Sequence, residues 1–331
     1  MATAIRPLRR LHVGLESTPG TLVAATRQLI GSGRLNEEAE FYRSTYPSGL
    51  RATPGGAGVV TRRGTTLSWE TELTAEEILW PLLTGIRGGV TPTDDDGLKI
   101  WTFSPELATG IPTIETATLE FLDSDGVSNH YYGEAGYAFT RSFGISWTVN
   151  QIATLTWEMV ARARQSDTPT AGLTPYSGRV PLVSNLLSVT IDSDWSTLGT
   201  TAVEGVMRSA TFSCTTGLDA NYTMDGRSDA DMVRHQVNLL SGTLELVMEL
   251  NASTATYFQS FRDNSLLFVR LAQTGPSNRL VQIDGCYRFS ASPSFSEDNE
   301  QVLMTASLEA VIDPTSNNIF EFTVQNALAT A

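Results

Sequence analysis

The sequence is poor in cysteine and in long apolar runs. Its 331 residues include two cysteines, Cys214 and Cys286, which are too few for a disulfide framework. We interpret both as buried thiols of a protein from a reducing compartment. No apolar run approaches the roughly 18 residues that span a bilayer, and the N-terminus lacks the apolar segment of a secretory signal. The sequence therefore predicts neither a disulfide scaffold nor a membrane protein.

Motifs for catalysis and cofactor binding are also missing. The histidines stand far apart, and no cysteine–histidine cluster has the spacing of a metal site. The sequence contains neither the Gly-x-Ser-x-Gly pattern of a nucleophile elbow nor the Gly-Lys-Ser/Thr pattern of a phosphate loop. We therefore expect no catalytic residues, no cofactor, no metal ligands and no enzymatic activity.

Basic residues are outnumbered by acidic ones. The chain has 22 lysines and arginines against 36 aspartates and glutamates, a net charge of −14. Such a charge opposes nucleic-acid binding through phosphate neutralisation. It is compatible with solubility alone, and also with a surface to which DNA must not adhere.

The sequence does contain a segment that occurs twice. Residues 65–85 begin with alternating apolar and polar side chains, which predicts a half-buried strand. Thr74 then predicts a helix N-terminus with a capping box to Glu77, followed by a short apolar helical stripe. Residues 242–264 repeat this order of strand, cap and helix, with Asn251 in the place of Thr74.

Two further landmarks recur in the same order. Residues 17–23 have a counterpart at 196–202, and Tyr-Ala-Phe at 137–139 returns as Tyr-Arg-Phe at 287–289. This pattern indicates a tandem duplication of one β-rich unit with a single helix, the copies differing mainly by a loop at residues 86–114. The predicted division is a first domain at 1–164 with an N-terminal arm and a long loop at 41–64, a linker at 165–183, and a second domain at 184–331 with a C-terminal arm.

Several glutamates fall on the polar side of equivalent strands in the two copies. They are Glu70, Glu72, Glu158, Glu245, Glu249 and Glu309. A solvated sheet face is one interpretation of this pattern, and a face that lines a pore is the alternative.

A series of motifs gives the sequence a family resemblance. In order, they are ESTPGTLVAATR, FYRSTYPSG, ETELTAEEILWPLLTGI, WTFSP and ETATLEF. This order resembles the tail tube proteins, or major tail proteins, of long-tailed bacteriophages of the siphophage type, most specifically over residues 14–122. The resemblance implies a mainly β fold with two tandem tail-tube-type β-sandwich or barrel domains. Each would carry one short flanking α-helix, the first at residues 75–84.

The resemblance also implies a structural virion protein. Family members join their inner sheets between subunits into a continuous barrel, and the rings stack into the tube that conducts DNA during ejection. The six glutamates would then be lumen-facing. The long loop at 41–64 would pack on the neighbouring ring, and the terminal arms would bridge rings. The inter-ring candidates are Tyr42, Arg43, Tyr46, Arg62 and Arg63.

The expected partners follow from the same resemblance. Two tube domains in one chain fit a homotrimeric ring of pseudo-sixfold symmetry, whereas a decorative second half would require a hexamer. Tape measure and terminator proteins are further expected partners; genomic DNA would pass through without specific binding, and no membrane is involved. The expected location is the virion tail, assembled in the bacterial host cytoplasm. Two alternatives stay open: a two-domain β-sandwich capsid-decoration or adhesin protein, and an enzyme with paired carboxylates, such as a glycosidase.

Overall fold

The computed structural model describes residues 8–43, 58–108, 112–224, 226–230, 235–236, 239–298 and 300–331. The chain is mainly β, as the sequence predicts. Its strands are β1 (Arg10–Leu15), β2 (Arg27–Leu29), β3 (Ser32–Arg43), β4 (Gly58–Glu72), β5 (Thr93–Asp95), β6 (Leu98–Phe103), β7 (Ala117–Ser124), β8 (Asn129–Thr148), β9 (Thr154–Ala161), β10 (Leu187–Asp192), β11 (Met207–Thr215), β12 (Leu218–Asp219), β13 (His235–Gln236), β14 (Ser241–Glu249), β15 (Leu267–Thr274), β16 (Leu280–Phe289), β17 (Ser294–Asp298), β18 (Gln301–Ala310) and β19 (Phe320–Asn326). The helices are α1 (Leu79–Gly85) and α2 (Tyr257–Arg262).

Eight antiparallel strands form one sheet, here called the long sheet, which runs through both halves of the chain. Their spatial order is β3-β4-β9-β8-β11-β14-β18-β17. The two halves meet where β8 pairs with β11, from Ser142 opposite Thr215 to Thr148 opposite Ser209. Because side chains alternate along each strand, the sheet has one apolar face and one polar face.

Shorter outer sheets cover the apolar face. In the first half, β1 lies between β2 and β7, and β7 pairs with the beginning of β8. In the second half the order is β10-β15-β16-β19-β6-β5. The segment predicted as a loop at 86–114 therefore contains a hairpin, and its strand β6 pairs with β19 of the other half.

Both predicted helices follow a strand of the long sheet. Glu77 N donates to Thr74 Oγ1 at 3.1 Å, which fulfils one half of the capping box. The regular helix begins only at Leu79, later than predicted, and every residue of α1 is buried. Before α2, the amides of Ser253 and Thr254 both donate to Asn251 Oδ1 at 2.9 Å. No residue of α2 is fully buried.

One continuous set of buried apolar side chains extends through both halves. Phe212 of β11 contacts three aromatic rings from β8 and β19, with centroid distances of 6.2 Å to Phe143, 5.9 Å to Phe320 and 5.6 Å to Phe322. Complete burial of one such side chain stabilises a fold by about 2–3 kcal/mol. The halves therefore share a core, while the domain boundaries at 164 and 184 stay a prediction.

A buried carboxylate attaches the predicted linker to the first half. Glu120 accepts hydrogen bonds from the Thr170 amide at 2.7 Å, from Thr170 Oγ1 at 2.6 Å and from the Ala25 amide at 3.0 Å. His12 Nδ1 lies 3.3 Å from the same carboxylate. Burial raises the pKa of Glu120, but the hydrogen bonds from His12, Thr170 and Ala25 outweigh this effect and lower the pKa to about 2.

Replacement of Glu120 by Gln is expected to make the free energy of unfolding less dependent on pH between about 4.5 and about 2. A carboxyl whose folded pKa is depressed stabilises the fold above its unfolded pKa, and this contribution is lost as the pH falls from about 4.5 to about 2. The wild-type advantage over Glu120→Gln should reach about 2–3 kcal/mol at pH 7 and vanish near pH 2. Urea unfolding across that pH range measures the difference, and a pH-independent difference would contradict the assignment.

Candidate functional site

The polar face of the long sheet carries all six glutamates singled out from the sequence. The strand register places Ser68 opposite Glu158, Glu70 opposite Thr156, and Glu245 opposite Ser307. Residues directly opposite each other point to the same side of a sheet. The same rule places Glu72 on this face. Through the β8–β11 junction it also places Glu249 and Glu309 there.

Small hydroxyl side chains fill most of the space between these glutamates. They include Ser68, Thr154, Thr156, Ser142, Ser146, Thr211, Ser213, Thr243, Thr305, Ser307 and Ser294. On this face, Arg34 of β3 is an exposed cation at one edge of the sheet. The surface is therefore hydrophilic and rich in acidic groups.

Three of the six glutamates form ion pairs with arginines from neighbouring segments. Glu72 Oε2 lies 2.8 Å from Arg179 Nη1, and Glu249 Oε1 lies 2.5 Å from Arg208 Nη2. Glu158 lies 3.5 Å from Arg141 Nη1. The other three, Glu70, Glu245 and Glu309, are exposed and form no ion pair within the described part of the chain. These three are the glutamates of the set that no arginine pairs with in the described ranges.

The hairpin of β3 and β4 projects beyond the rest of the long sheet. β9 pairs with β4 only at residues 65–72, whereas β3 and β4 continue to Arg43 and Gly58. Its outer part exposes 61% of Phe41, 50% of Tyr42 and 62% of Val59. Exposed apolar side chains concentrated on one projection are typical of a contact surface. The candidate Tyr46 lies outside the described residues.

The candidates Arg62 and Arg63 contact other parts of the same chain. Arg62 Nη1 lies 3.3 Å from Glu40 Oε1, and its guanidinium carbon lies 4.6 Å from the Tyr222 ring centroid. The Arg63 amide donates to the Ser228 carbonyl at 2.7 Å. The second half of the chain thus supports the base of the hairpin, which the sequence pattern did not predict.

The long sheet ends in two open edges. Among the described residues, β3 pairs only with β4 and β17 pairs only with β18. Unpaired strand edges expose backbone donors and acceptors that favour pairing with another strand. The family resemblance implied sheets that join between subunits but did not identify these two strands.

Three features are absent from the described ranges: a metal-ligand cluster, a membrane-spanning helix and a reactive thiol. No group of three or more His, Cys, Asp or Glu side chains there is arranged to hold a metal ion, and no helix there combines the length and the apolar character needed to cross a membrane. Cys214 and Cys286 are unpaired and buried. Burial raises the pKa of both thiols, that of Cys286 to about 12, so neither is a ready nucleophile.

This geometry defines a sheet-built structural subunit, with a hydrophilic sheet face, two open strand edges and a projecting apolar hairpin. Residues 8–311 match the family described as phage tail tube protein. The chain therefore belongs to the phage tail tube family and is a structural protein of the virion tail. A search of the curated proteins found no match.

Proposed function

We propose that three copies of this chain close their long sheets into one ring, with the polar face turned inward, and that the rings stack into the tube through which phage DNA is ejected. The observation that carries this proposal is the β8–β11 pairing, because it joins two four-stranded sheets edge to edge inside one chain. Repetition of the same junction between chains closes a ring and removes every open edge of the long sheet.

A duplicated tube domain is part of the proposal. Ser32 lies opposite Glu70 in β3 and β4, and Ser209 lies opposite Val247 in β11 and β14. The step along the sequence from Ser32 to Ser209 equals the step from Glu70 to Val247, so the paired strands recur in the same register. A helix follows β4 and β14 alike.

Buried carboxylates at the ends of β1 and β10 also correspond. Glu16 accepts hydrogen bonds from the Gly20 and Tyr137 amides at 2.7 and 2.8 Å. Asp192 accepts hydrogen bonds from the Gly199 and Thr201 amides at 2.9 and 3.0 Å. Each carboxylate fixes the loop after its strand, which supports two copies of one unit and hence a pseudo-sixfold ring.

The register of the long sheet suits a closed ring. Paired residues run from Ser32 through Glu70 and Thr156 to Gly144. Gly144 then pairs with Ser213, four residues beyond Ser209, which is the counterpart of Ser32. A register shift of four residues over four strand-to-strand steps gives a strand tilt of about 35°, which is typical of barrels. Three copies with this tilt form a ring with a backbone diameter of about 45 Å, which is wider than a DNA duplex.

The chemistry of the polar face suits transport without binding. Lysine or arginine side chains that contact phosphates release counterions and hold DNA in place. Hydroxyl groups and the unpaired carboxylates of Glu70, Glu245 and Glu309 offer no such contact. DNA therefore slides past these groups.

Tape measure and terminator proteins are further partners in the proposal, and assembly takes place in the host cytoplasm.

Negative-stain microscopy of the purified protein, combined with native mass spectrometry of single rings, tests the proposal. The expected result is hollow rings or tubes with three chains per ring. Rings of six chains would contradict the stoichiometry. Compact single particles at all concentrations would contradict the assembly and favour a decoration or adhesin role.

Charge reversal of Arg62 and Arg63 to Glu is expected to shorten the tubes. The projecting hairpin is the proposed contact with the next ring, and Arg62 holds its acidic strand through Glu40 and Glu38. The ion pairs of Arg62 with Glu38 and Glu40 are exposed to solvent, so the free energy of unfolding should change by no more than about 1 kcal/mol. Lys99→Glu, in the hairpin of β5 and β6, is the matched control. Tube lengths in micrographs equal to wild type would count against a stacking role.

A further inference from the structure

We infer that the ring closes through one defined seam, in which β17 of one copy pairs antiparallel with β3 of the next copy in the register of the internal β8–β11 junction. This inference rests on the proposed ring and names the two strands and the residues that meet. The partner is a second copy of this chain.

The register follows from the correspondence of the two halves. Glu70 pairs with Thr156 and Thr156 with Gly144, while Val247 pairs with Thr305 and Thr305 with Ser294. Since Glu70 corresponds to Val247, Gly144 of β8 corresponds to Ser294 of β17. β3 corresponds to β11, with Ser32 in the place of Ser209.

These two correspondences convert each internal pair into a pair across the seam. Inside the chain, Thr148 lies opposite Ser209 and Ser146 lies opposite Thr211. The corresponding seam pairs are Asp298–Ser32, Glu297–Gly33, Ser296–Arg34, Phe295–Leu35 and Ser294–Asn36, the first residue from β17 and the second from β3 of the next copy.

The exposure of β17 indicates a missing neighbour. Ile145 of β8 is fully buried, with Phe212 of β11 directly opposite. Its counterpart Phe295 is 51% exposed, although its ring stacks on Phe258 of α2 at 5.3 Å. Arrival of β3 would supply Leu35 at the place that Phe212 occupies in the internal junction.

The helices α1 and α2 differ in burial, as β8 and β17 do. α1 is buried throughout, partly because the second half of the chain reaches it: Arg279 pairs with Glu76, and Asn326 Nδ2 donates to the Ala75 carbonyl at 2.7 Å. α2 has no fully buried residue. The second half of the chain covers α1, and at the seam the next copy would cover α2.

Charges across the seam are complementary. Glu297 and Asp298 lie at the end of β17 that meets the beginning of β3. There Arg34 is exposed, whereas Arg9, whose Nη1 donates to the Gly33 carbonyl at 2.7 Å, is already paired with Asp123 of β7. In this register Asp298 lies diagonal to Arg34 on the same face, within reach of a long side chain. Pairing there would also neutralise the cation that β3 brings to the polar face.

Cysteine cross-linking tests the register. In the internal junction the side-chain oxygens of Ser146 and Thr211 are 3.4 Å apart, so Ser146→Cys with Thr211→Cys is the positive control within one chain. The test variants are Ser296→Cys with Arg34→Cys and, to keep Arg34, Ser294→Cys with Asn36→Cys. Ser296→Cys with Ser32→Cys, out of register by one full pleat, is the negative control. Each variant is assembled, oxidised with copper–phenanthroline and analysed by non-reducing electrophoresis.

At least one in-register pair is expected to give covalent multimers at least tenfold more abundant than the out-of-register pair, with a series that ends at the trimer. Rings in micrographs without in-register cross-links, while the internal control cross-links, would overturn the seam and leave the proposed function standing. Equal cross-linking in and out of register would also overturn it. Absence of rings from the wild-type protein would instead overturn the proposed function, and the seam with it.

Discussion

Replacement of Glu70, Glu245 and Glu309 together by lysine is expected to leave tubes assembled and to reduce DNA release from virions by at least tenfold. These carboxylates are exposed on the polar face and form no ion pair within the described ranges. Each lysine there would contact phosphates, and stacked rings would multiply the contacts along the tube. DNA release from purified virions after triggering measures the effect, and electron micrographs verify the tubes.

Two features separate this effect from general damage. Glu→Gln at the same three positions removes the negative charge without adding a cation, so it should retain most of the release. The lysine defect should weaken at high salt, because lysine–phosphate contacts are screened. Glu204→Lys, at an exposed position before β11, is a single-charge control for Glu245→Lys. Normal release with lysine at each of the six candidates, including Glu72, Glu158 and Glu249, would reject the lumen assignment.

Replacement of Arg279 by alanine is expected to destabilise the chain by about 3–5 kcal/mol at pH 7. Arg279 Nε lies 2.7 Å from Glu76 Oε1, and the side chains are 8% and 3% exposed. The pair connects the turn before α1 to the connection between β15 and β16 of the other half. Removal of the arginine leaves a buried carboxylate without its counter-ion. Urea unfolding followed by fluorescence measures the loss.

The pH dependence of this variant has a defined sign. Burial raises the pKa of Glu76, although Arg279 opposes the shift. A carboxyl with a raised folded pKa favours the fold most when it is protonated, so the deficit of Arg279→Ala should shrink as the pH falls toward the pKa of Glu76. Glu76→Gln with Arg279→Met should recover most of the stability, because no charge is then buried. A deficit below about 1 kcal/mol at neutral pH would contradict a buried role for this pair.

Local sequence patterns predicted the parts of the fold that depend on local physics. Alternation along residues 65–72 predicted β4 and the side on which Glu70 and Glu72 lie, because the period of a strand is two. Thr74 and Asn251 predicted the starts of the two helical segments, because a side chain that accepts from nearby amides acts within a few residues. The six glutamates share one face for the same reason.

Contacts between distant segments were not predictable from these patterns. Nothing in residues 86–114 alone indicates that β6 pairs with β19, since that pairing depends on a strand edge near the other end of the chain. Glu77 was expected to reach back to its own cap, but its carboxylate accepts from Thr71 Oγ1 at 2.9 Å and pairs with Arg179 at 3.2 Å. The arginines that pair with Glu72, Glu158 and Glu249 come from other strands or from the linker, so only the folded chain distinguishes these glutamates from Glu70, Glu245 and Glu309.

Helical reconstruction of self-assembled tubes by electron cryomicroscopy tests the central claim most directly. The account predicts threefold rings in which the strand bearing Glu70 and the strand bearing Glu245 both line the channel, with α1 and α2 outside the sheet. A channel lined by the helices, or long-sheet edges left open between neighbouring subunits, would contradict it.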